Sequence, residues 1–291
     1  MLFGNDKQVI SASRRTDIPA FHADWFIDRV RHGYCKVANP YNPAQAREVS
    51  LRSADVAAIV FWTRRAEPLR RYLDELDGRG FNYYFLYTIT GCPAGMEPGL
   101  PDKQRCVEDF LELSARTGPE KVIWRYDPVI MSTDLDHDYH VEKFSGLAEQ
   151  LAAGTNSVVI TFLKMYPHIA EAMRKAGVFQ PVRRERELLA KAIGDAAARQ
   201  GLTVRGCGER ESFPGQGISK CIDEKLLGRL FGLELSSAKD RGQPPECRCI
   251  RSIDIGAYGS CLHGCVYCYA SRNFDRARLR YGRNARGREM L

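Results

Sequence analysis

The 291-residue chain has no run approaching the about eighteen consecutive apolar residues that a membrane helix needs. Its first stretch, MLFGNDKQVISASRRTD, lacks the basic start, apolar core and small-residue cleavage site of a secretory signal, which leads us to expect a cytoplasmic protein. The Gly-x-Gly-x-x-Gly turn, the Walker A loop, the nucleophile elbow and the His-Glu-x-x-His motif are all missing. Dinucleotide, P-loop, serine-hydrolase and zincin chemistry therefore have no support. The six histidines are scattered, and neither an internal repeat nor a low-complexity linker interrupts the chain.

What is present fits a soluble globular protein. Hydrophobic residues make up 44% and charged residues 27%, enough for one large domain; an α/β barrel of this length would be one. The net charge of +7 is uneven. Residues 271–291 carry seven arginines against Asp275 and Glu289, so most of the basic balance belongs to this tail. A solvated or frayed terminus accounts for it; a contact for phosphate or nucleic acid is the sharper alternative. Ten cysteines are many for a reducing compartment, and seven lie between Cys207 and Cys268. Without an export signal a disulfide framework does not fit, and such clustering points to metal or redox chemistry.

Short apolar runs alternate with helical periodicity. Strands are expected at 9–13, 57–63, 83–90, 121–127, 157–163, 203–207 and 252–258, with 34–38 as one more; helices are expected at 66–79, 102–117, 141–152 and 185–200. Strand–helix alternation implies right-handed βαβ units, hence an α/β fold: a full or partial (β/α) barrel, with a doubly wound sheet as competitor. Residues 1–205 read as the barrel body. Residues 206–291 read as a cysteine-rich, cluster-binding region with one short helix at 223–230, a polar loop at 236–246, the last strand and the final cysteine loop. Several strands end in polar residues: Arg14, Arg15, Thr16 and Asp17; Thr63 and Arg64; Thr90; Arg125 and Asp127; Lys164; and Arg205-Gly206-Cys207-Gly208-Glu209. In a barrel these ends converge on one mouth. Arg125 and Asp127, two apart on a strand, would face the same side, as a functional pair or as a structural ion pair.

The most specific feature is Gly259-Ser260-Cys261-Leu262-His263-Gly264-Cys265-Val266-Tyr267-Cys268-Tyr269-Ala270. Its C-x3-C-x2-C spacing puts three thiolates on one tight loop, enough for three irons of a [4Fe–4S] cubane with the fourth left open. Gly259 and Gly264 would let the backbone curl. Zinc generally wants four ligands in C-x2-C pairs, which this spacing fits poorly. His263, inside the loop, reads as a supporting or surface residue. Tyr258, Tyr267 and Tyr269 could pack over a cluster or an adenine, or in the core.

This loop resembles the signature of radical S-adenosylmethionine enzymes. Residues 254–270 look like an uncharacterised bacterial family whose radical-type cysteines sit at the C-terminus. The stretches 56–63, 84–90 followed by Met96-Glu97-Pro98-Gly99-Leu100-Pro101, and 125–130 look like the branch related to spore photoproduct lyase. The resemblance implies a cluster on Cys261, Cys265 and Cys268, S-adenosylmethionine chelated at the free iron, and a reductant such as a flavodoxin or ferredoxin. It also brings nucleic acid forward as a substrate class. Two departures stand out. The cysteine loop follows the last strand instead of the first, as a circular permutation of neighbouring barrel strands would produce. No Gly-Gly-Glu follows the second strand. Beyond the cysteines, Tyr267, Thr63, Thr90, Arg125 and Lys164 are candidate cofactor contacts by position alone.

A second group, Cys207, Cys221, Cys247 and Cys249, would suit another cluster or a closed zinc site, or includes plain buried thiols. Cys35, Cys92 and Cys106 are isolated and read as core. The patch TDLDHDYH, with Asp134, Asp136, His137, Asp138 and His140, reads as a metal site or, better, as a helix cap at Asp138. Two other functions compete with radical chemistry: an iron–sulfur or zinc nucleic-acid-binding protein, and an electron carrier with two ordinary clusters.

Overall fold

A computed structural model describes residues 7–40, 42–207, 220–240, 242–283 and 288–291, so Gly208 and Glu209 lie outside the described residues. Seven strands share one sheet: β1 (Gln8–Ala12), β2 (Val56–Thr63), β3 (Tyr83–Thr88), β4 (Val122–Val129), β5 (Ser157–Phe162), β6 (Thr203–Gly206) and β7 (Ile253–Asp254). Their order is β6-β5-β4-β3-β2-β1-β7, and every pairing is parallel. From β1 to β6 the order runs in one direction, and β7 stands on the other side of β1. Among the described residues no pairing joins β6 to β7, and the sheet keeps two edges.

The strands are apolar almost throughout because both faces are covered, as parallel sheets require. All six residues of β3 are buried, and Trp62 alone in β2 is partly exposed. Alternation along each strand divides the core. Ile10, Phe61, Phe85 and Trp124 meet helical residues such as Phe26, Leu73, Phe110 and Ile193 on one face. On the other, Val9, Val60, Tyr84, Leu86 and Val159 meet Ile222, Leu226, Leu227 and Ile250 of the cysteine-rich segment. The Tyr84 hydroxyl donates to the Cys221 carbonyl at 2.5 Å. Full burial of each such aliphatic side chain stabilises by roughly 1.5–3 kcal/mol, which offsets the entropy of ordering a segment with one short helix, Glu224–Phe231.

The last strand does stand beside the first, with Ile10 opposite Ile253 and Ser11 opposite Asp254. It is shorter than expected because the chain leaves the sheet after Asp254. That carboxylate accepts hydrogen bonds from the Ser11 hydroxyl (3.1 Å), the Ser13 hydroxyl (2.6 Å) and the Arg14 amide (2.8 Å).

Four expectations are corrected. The helix expected at 66–79 is two pieces, Glu67–Arg70 and Leu73–Gly78; Tyr72, at the break, is held by its hydroxyl bond to Asp24 at 2.6 Å. The strand expected at 34–38 forms as Tyr34–Asn39, but outside the main sheet: it pairs antiparallel with Asn42–Ser50, a polar strand without a clear apolar pattern. The cap of the helix His137–Leu151 is Asp136, which accepts the Tyr139 amide at 2.9 Å, not Asp138. His140 is buried in the same patch, 3.0 Å from the Tyr126 hydroxyl and 2.8 Å from the Ile130 carbonyl, a structural placement. Finally, the chain end is docked rather than frayed. Trp25 donates to the Arg288 carbonyl at 2.9 Å, and Lys36 pairs with Glu289 at 2.7 Å. Arg276, Arg278 and Arg280 nonetheless present a solvated face on the helix Phe274–Arg283.

Candidate functional site

Parallel strands bring their carboxyl ends to one edge. There they surround a cavity of about 800 Å³, walled by Ser13 and Arg14 after β1, Thr63 and Arg64 at β2, Arg125 and Asp127 on β4, and Lys164 after β5. Cys261, Cys265 and Cys268 line the same cavity.

The loop bearing these cysteines is built tightly. Gly259 and Gly264 have φ of 67° and 70°, the left-handed region that glycine adopts without strain. The Gly259 amide donates to the Ala270 carbonyl at 2.9 Å and closes the loop. The segment after β3 clamps it: Gly99 donates to the His263 carbonyl at 2.8 Å, and Val266 donates to the Met96 carbonyl at 3.0 Å. A Cβ on Gly99 would stand 2.6 Å from the Leu262 and His263 carbonyl oxygens, so only glycine permits this approach. His263 is buried, not a surface residue. Its Nε2 is 2.7 Å from Asp17, whose carboxylate also accepts from the Thr63 hydroxyl at 2.8 Å and the Arg64 amide at 2.7 Å.

Arg64 is the electrostatic hub. One terminal nitrogen lies 3.2 Å from the Cys265 sulfur and 2.7 Å from the Tyr267 hydroxyl; the other pairs with Glu97 at 2.5 Å. Glu97 also accepts from Lys103 (2.6 Å), Thr90 (2.7 Å) and Tyr267. Burial alone would raise the Glu97 pKa, but Arg64 and Lys103 overcome it and hold the carboxyl down at about 2. Burial pushes the thiols of Cys261, Cys265 and Cys268 up, while Arg64 opposes this at Cys265 and Cys268. These sulfurs thus become thiolates when a cation compensates them. The Ala270 amide, 3.3 Å from the Cys268 sulfur, favours the same charged form.

The residues expected from sequence divide in the structure. Tyr267, Thr63, Arg125 and Lys164 line the cavity; Thr90 does not, and instead supports Glu97 from behind. Arg125 pairs with Asp127 and stacks over Trp62 at 4.7 Å. Tyr258 and Tyr269 are partly exposed, at 47% and 44%. Cys35, Cys92 and Cys106 are buried, as core residues would be. Of the second group, Cys207 and Cys247 line the cavity wall. Glu97 and Asp254 were missed as site residues, while Asp17, expected at the mouth as a strand-end residue, holds His263 there. Glu97 lies in a stretch that the family resemblance covers, but its role depends on contacts that spacing does not reveal.

Four residues of the cavity wall each carry one buried polar atom without a partner: Thr16 Oγ1, Trp62 Nε1, Arg64 Nε and Arg125 Nε. Each unmade buried hydrogen bond costs about 1–3 kcal/mol. Among the described residues no three His, Cys, Asp or Glu side chains frame a single metal ion. A cubane places its thiolates on separate iron corners and makes no such demand for convergence. Among the described residues no helix is long and apolar enough to cross a membrane. The family described as "Domain of unknown function (DUF1848)" matches residues 9–270. No curated protein matches the chain.

Proposed function

The chain belongs to the DUF1848 family, and we propose that it is a cytoplasmic radical S-adenosylmethionine enzyme on a circularly permuted, partial (β/α) barrel of the spore photoproduct lyase-like branch. One observation carries this reading: Cys261, Cys265 and Cys268 face one cavity from a single glycine-hinged loop at the carboxyl edge of a parallel sheet. Three such thiolates would hold three irons of a [4Fe–4S] cluster and leave one position for the cofactor's amino and carboxyl groups. When bound, cluster and cofactor supply reductive cleavage of a sulfonium carbon–sulfur bond and a 5′-deoxyadenosyl radical.

The chain's own residues bind, orient and insulate. Arg64 offsets the charge of the Cys265 sulfur and is itself held by Glu97 and Tyr267. The clamp from Met96 and Gly99 fixes the loop against the strand ends. Arg14 and Lys164 on the cavity wall offer hydrogen bonds to carboxylate, ribose or substrate oxygens. The neighbouring positions of β1 and β7 support the permutation, because a loop leaving β7 arrives where the ends of β1 and β2 also open. A cavity of about 800 Å³ favours an enzyme over an electron carrier, which has no need of a chamber. The reductant would be a flavodoxin or ferredoxin, and nucleic acid is the substrate class the branch suggests.

The test is anaerobic reconstitution, counting of iron and sulfide, reduction, and chromatography for 5′-deoxyadenosine after adding S-adenosylmethionine. The product should form with wild-type protein and vanish in Cys265→Ala. A reconstituted protein that leaves the cofactor intact and binds nucleic acid with a steep salt dependence would be a nucleic-acid-binding iron–sulfur protein instead.

A further inference from the structure

Four cysteines without a part in this chemistry meet beside the cavity. Cys207 directly follows β6, Cys221 precedes the helix Glu224–Phe231, and Cys247 and Cys249 precede β7. The sulfurs of Cys207 and Cys221 are 3.0 Å apart. The Cys249 thiol is within hydrogen-bonding reach of Cys207, Cys221 and Cys247. The Ile222 amide donates to the Cys249 sulfur at 3.3 Å, a bond that strengthens when sulfur carries charge. Cationic groups flank the set: Arg125 acts on Cys207 and Cys221, and Arg14 on Cys247 and Cys249. The Arg125 Nε is buried there without a partner.

We propose that Cys207, Cys221, Cys247 and Cys249 form a second metal centre, a closed four-thiolate site distinct from the Cys261 loop, for a thiophilic centre of zinc or iron. Thiols bond one another weakly, so their mutual contacts alone contribute little to holding three separate stretches of chain together. A metal ligated by all four ties the end of β6 to the approach to β7, the two edge strands of the sheet, and its binding free energy becomes folding free energy. Four protein ligands leave no open position, so this centre anchors structure or passes electrons instead of activating substrate. As the four side chains stand, no three of them frame a single ion: tetrahedral zinc–sulfur bonds set sulfurs roughly 3.8 Å apart, wider than the 3.0 Å contact of Cys207 and Cys221. Loading therefore spreads the thiols, and Cys207 and Cys247, half-buried on the cavity wall, have room to turn.

This inference goes beyond the radical reaction and stands without it, because it is tested in protein lacking the first site. The full chain carrying Cys261→Ala, Cys265→Ala and Cys268→Ala, purified anaerobically, should retain stoichiometric metal by mass spectrometry. The expected content is one zinc or iron ion, or about four irons with matching sulfide. Adding Cys247→Ser and Cys249→Ser should remove it. Substoichiometric metal in the triple variant, or metal indifferent to the two serines, overturns the proposal. Should the serine variant not fold, wild-type protein serves. Maleimide labelling mapped by mass spectrometry should spare Cys207 and Cys247 until a chelator or acid strips the metal; equal labelling before and after overturns the proposal.

Discussion

A guanidinium nitrogen of Arg64 lies 3.2 Å from the sulfur of Cys265, joining the end of β2 to the middle of the cysteine loop. Removing that cation should make a cluster on the loop harder to reduce, because the reduced form carries more negative charge. In Arg64→Met we expect a lower midpoint potential by electron paramagnetic resonance titration and cofactor cleavage slowed at least about tenfold, the rate equivalent of ~1.4 kcal/mol. Loss of the buried partner of Glu97 should also cost about 3–5 kcal/mol in urea unfolding. A change in stability with an unmoved potential would assign Arg64 a structural role only.

Glu97 makes stability pH-dependent. Its folded pKa of about 2 lies below the ordinary 4.5 because Arg64 and Lys103 outweigh burial. A depressed carboxyl contributes stability that is complete above the unfolded pKa and is lost as pH falls through the folded one. Wild type should therefore lose roughly 3 kcal/mol from this group between about pH 5 and 2. Glu97→Gln should be less stable at neutral pH and flatter across that window. Parallel slopes for the two proteins in denaturant titrations would refute the assignment.

Gly99 and Gly95 form a matched pair. A methyl group on Gly99 meets two loop carbonyl oxygens at 2.6 Å, while one on Gly95 meets nothing within 4 Å. Gly99→Ala should displace the cysteine loop, lower iron retention and destabilise by about 1–3 kcal/mol. Gly95→Ala should match wild type in both. Equal iron content in the two variants would show that the clamp is dispensable.

Asp254 is the polar tie between the last strand and the first. Asp254→Ala strands the Ser13 hydroxyl and the Arg14 amide, both bonded to it within 2.8 Å. We expect a loss of about 2–4 kcal/mol in chemical unfolding. Ser11→Ala, which removes one longer bond of 3.1 Å, should cost about 1 kcal/mol. Similar losses in the two variants would mean that the tie does not depend on the carboxylate.

Much of the frame was legible because it is written locally. All seven sheet strands were expected from the sequence, the central ones as apolar β-branched and aromatic runs such as VAAIVFWT and YYFLYT, since a parallel strand buried on both sides needs no polar alternation. The helices expected to begin at Asp102 and Asp223 form there, and in the structure those aspartates cap them. The strand Asn42–Ser50 was missed because it is mostly exposed and its polar sequence carries no period. The break at Tyr72 was missed because the apolar period runs through it, while the bond of Tyr72 to Asp24 comes from another part of the chain.

The cysteine spacing, the two glycines of the loop and the positions of the strand ends belong to the sequence alone, because turns and thiol spacing act over a few residues. The surroundings of those cysteines belong to the tertiary structure. Arg64 reaches Cys265 across 201 positions, and Tyr267 reaches Glu97 across 170. Strand register and the docking of one loop on another set such partners. A charge in a linear sequence gives no sign of which distant group will share its burial.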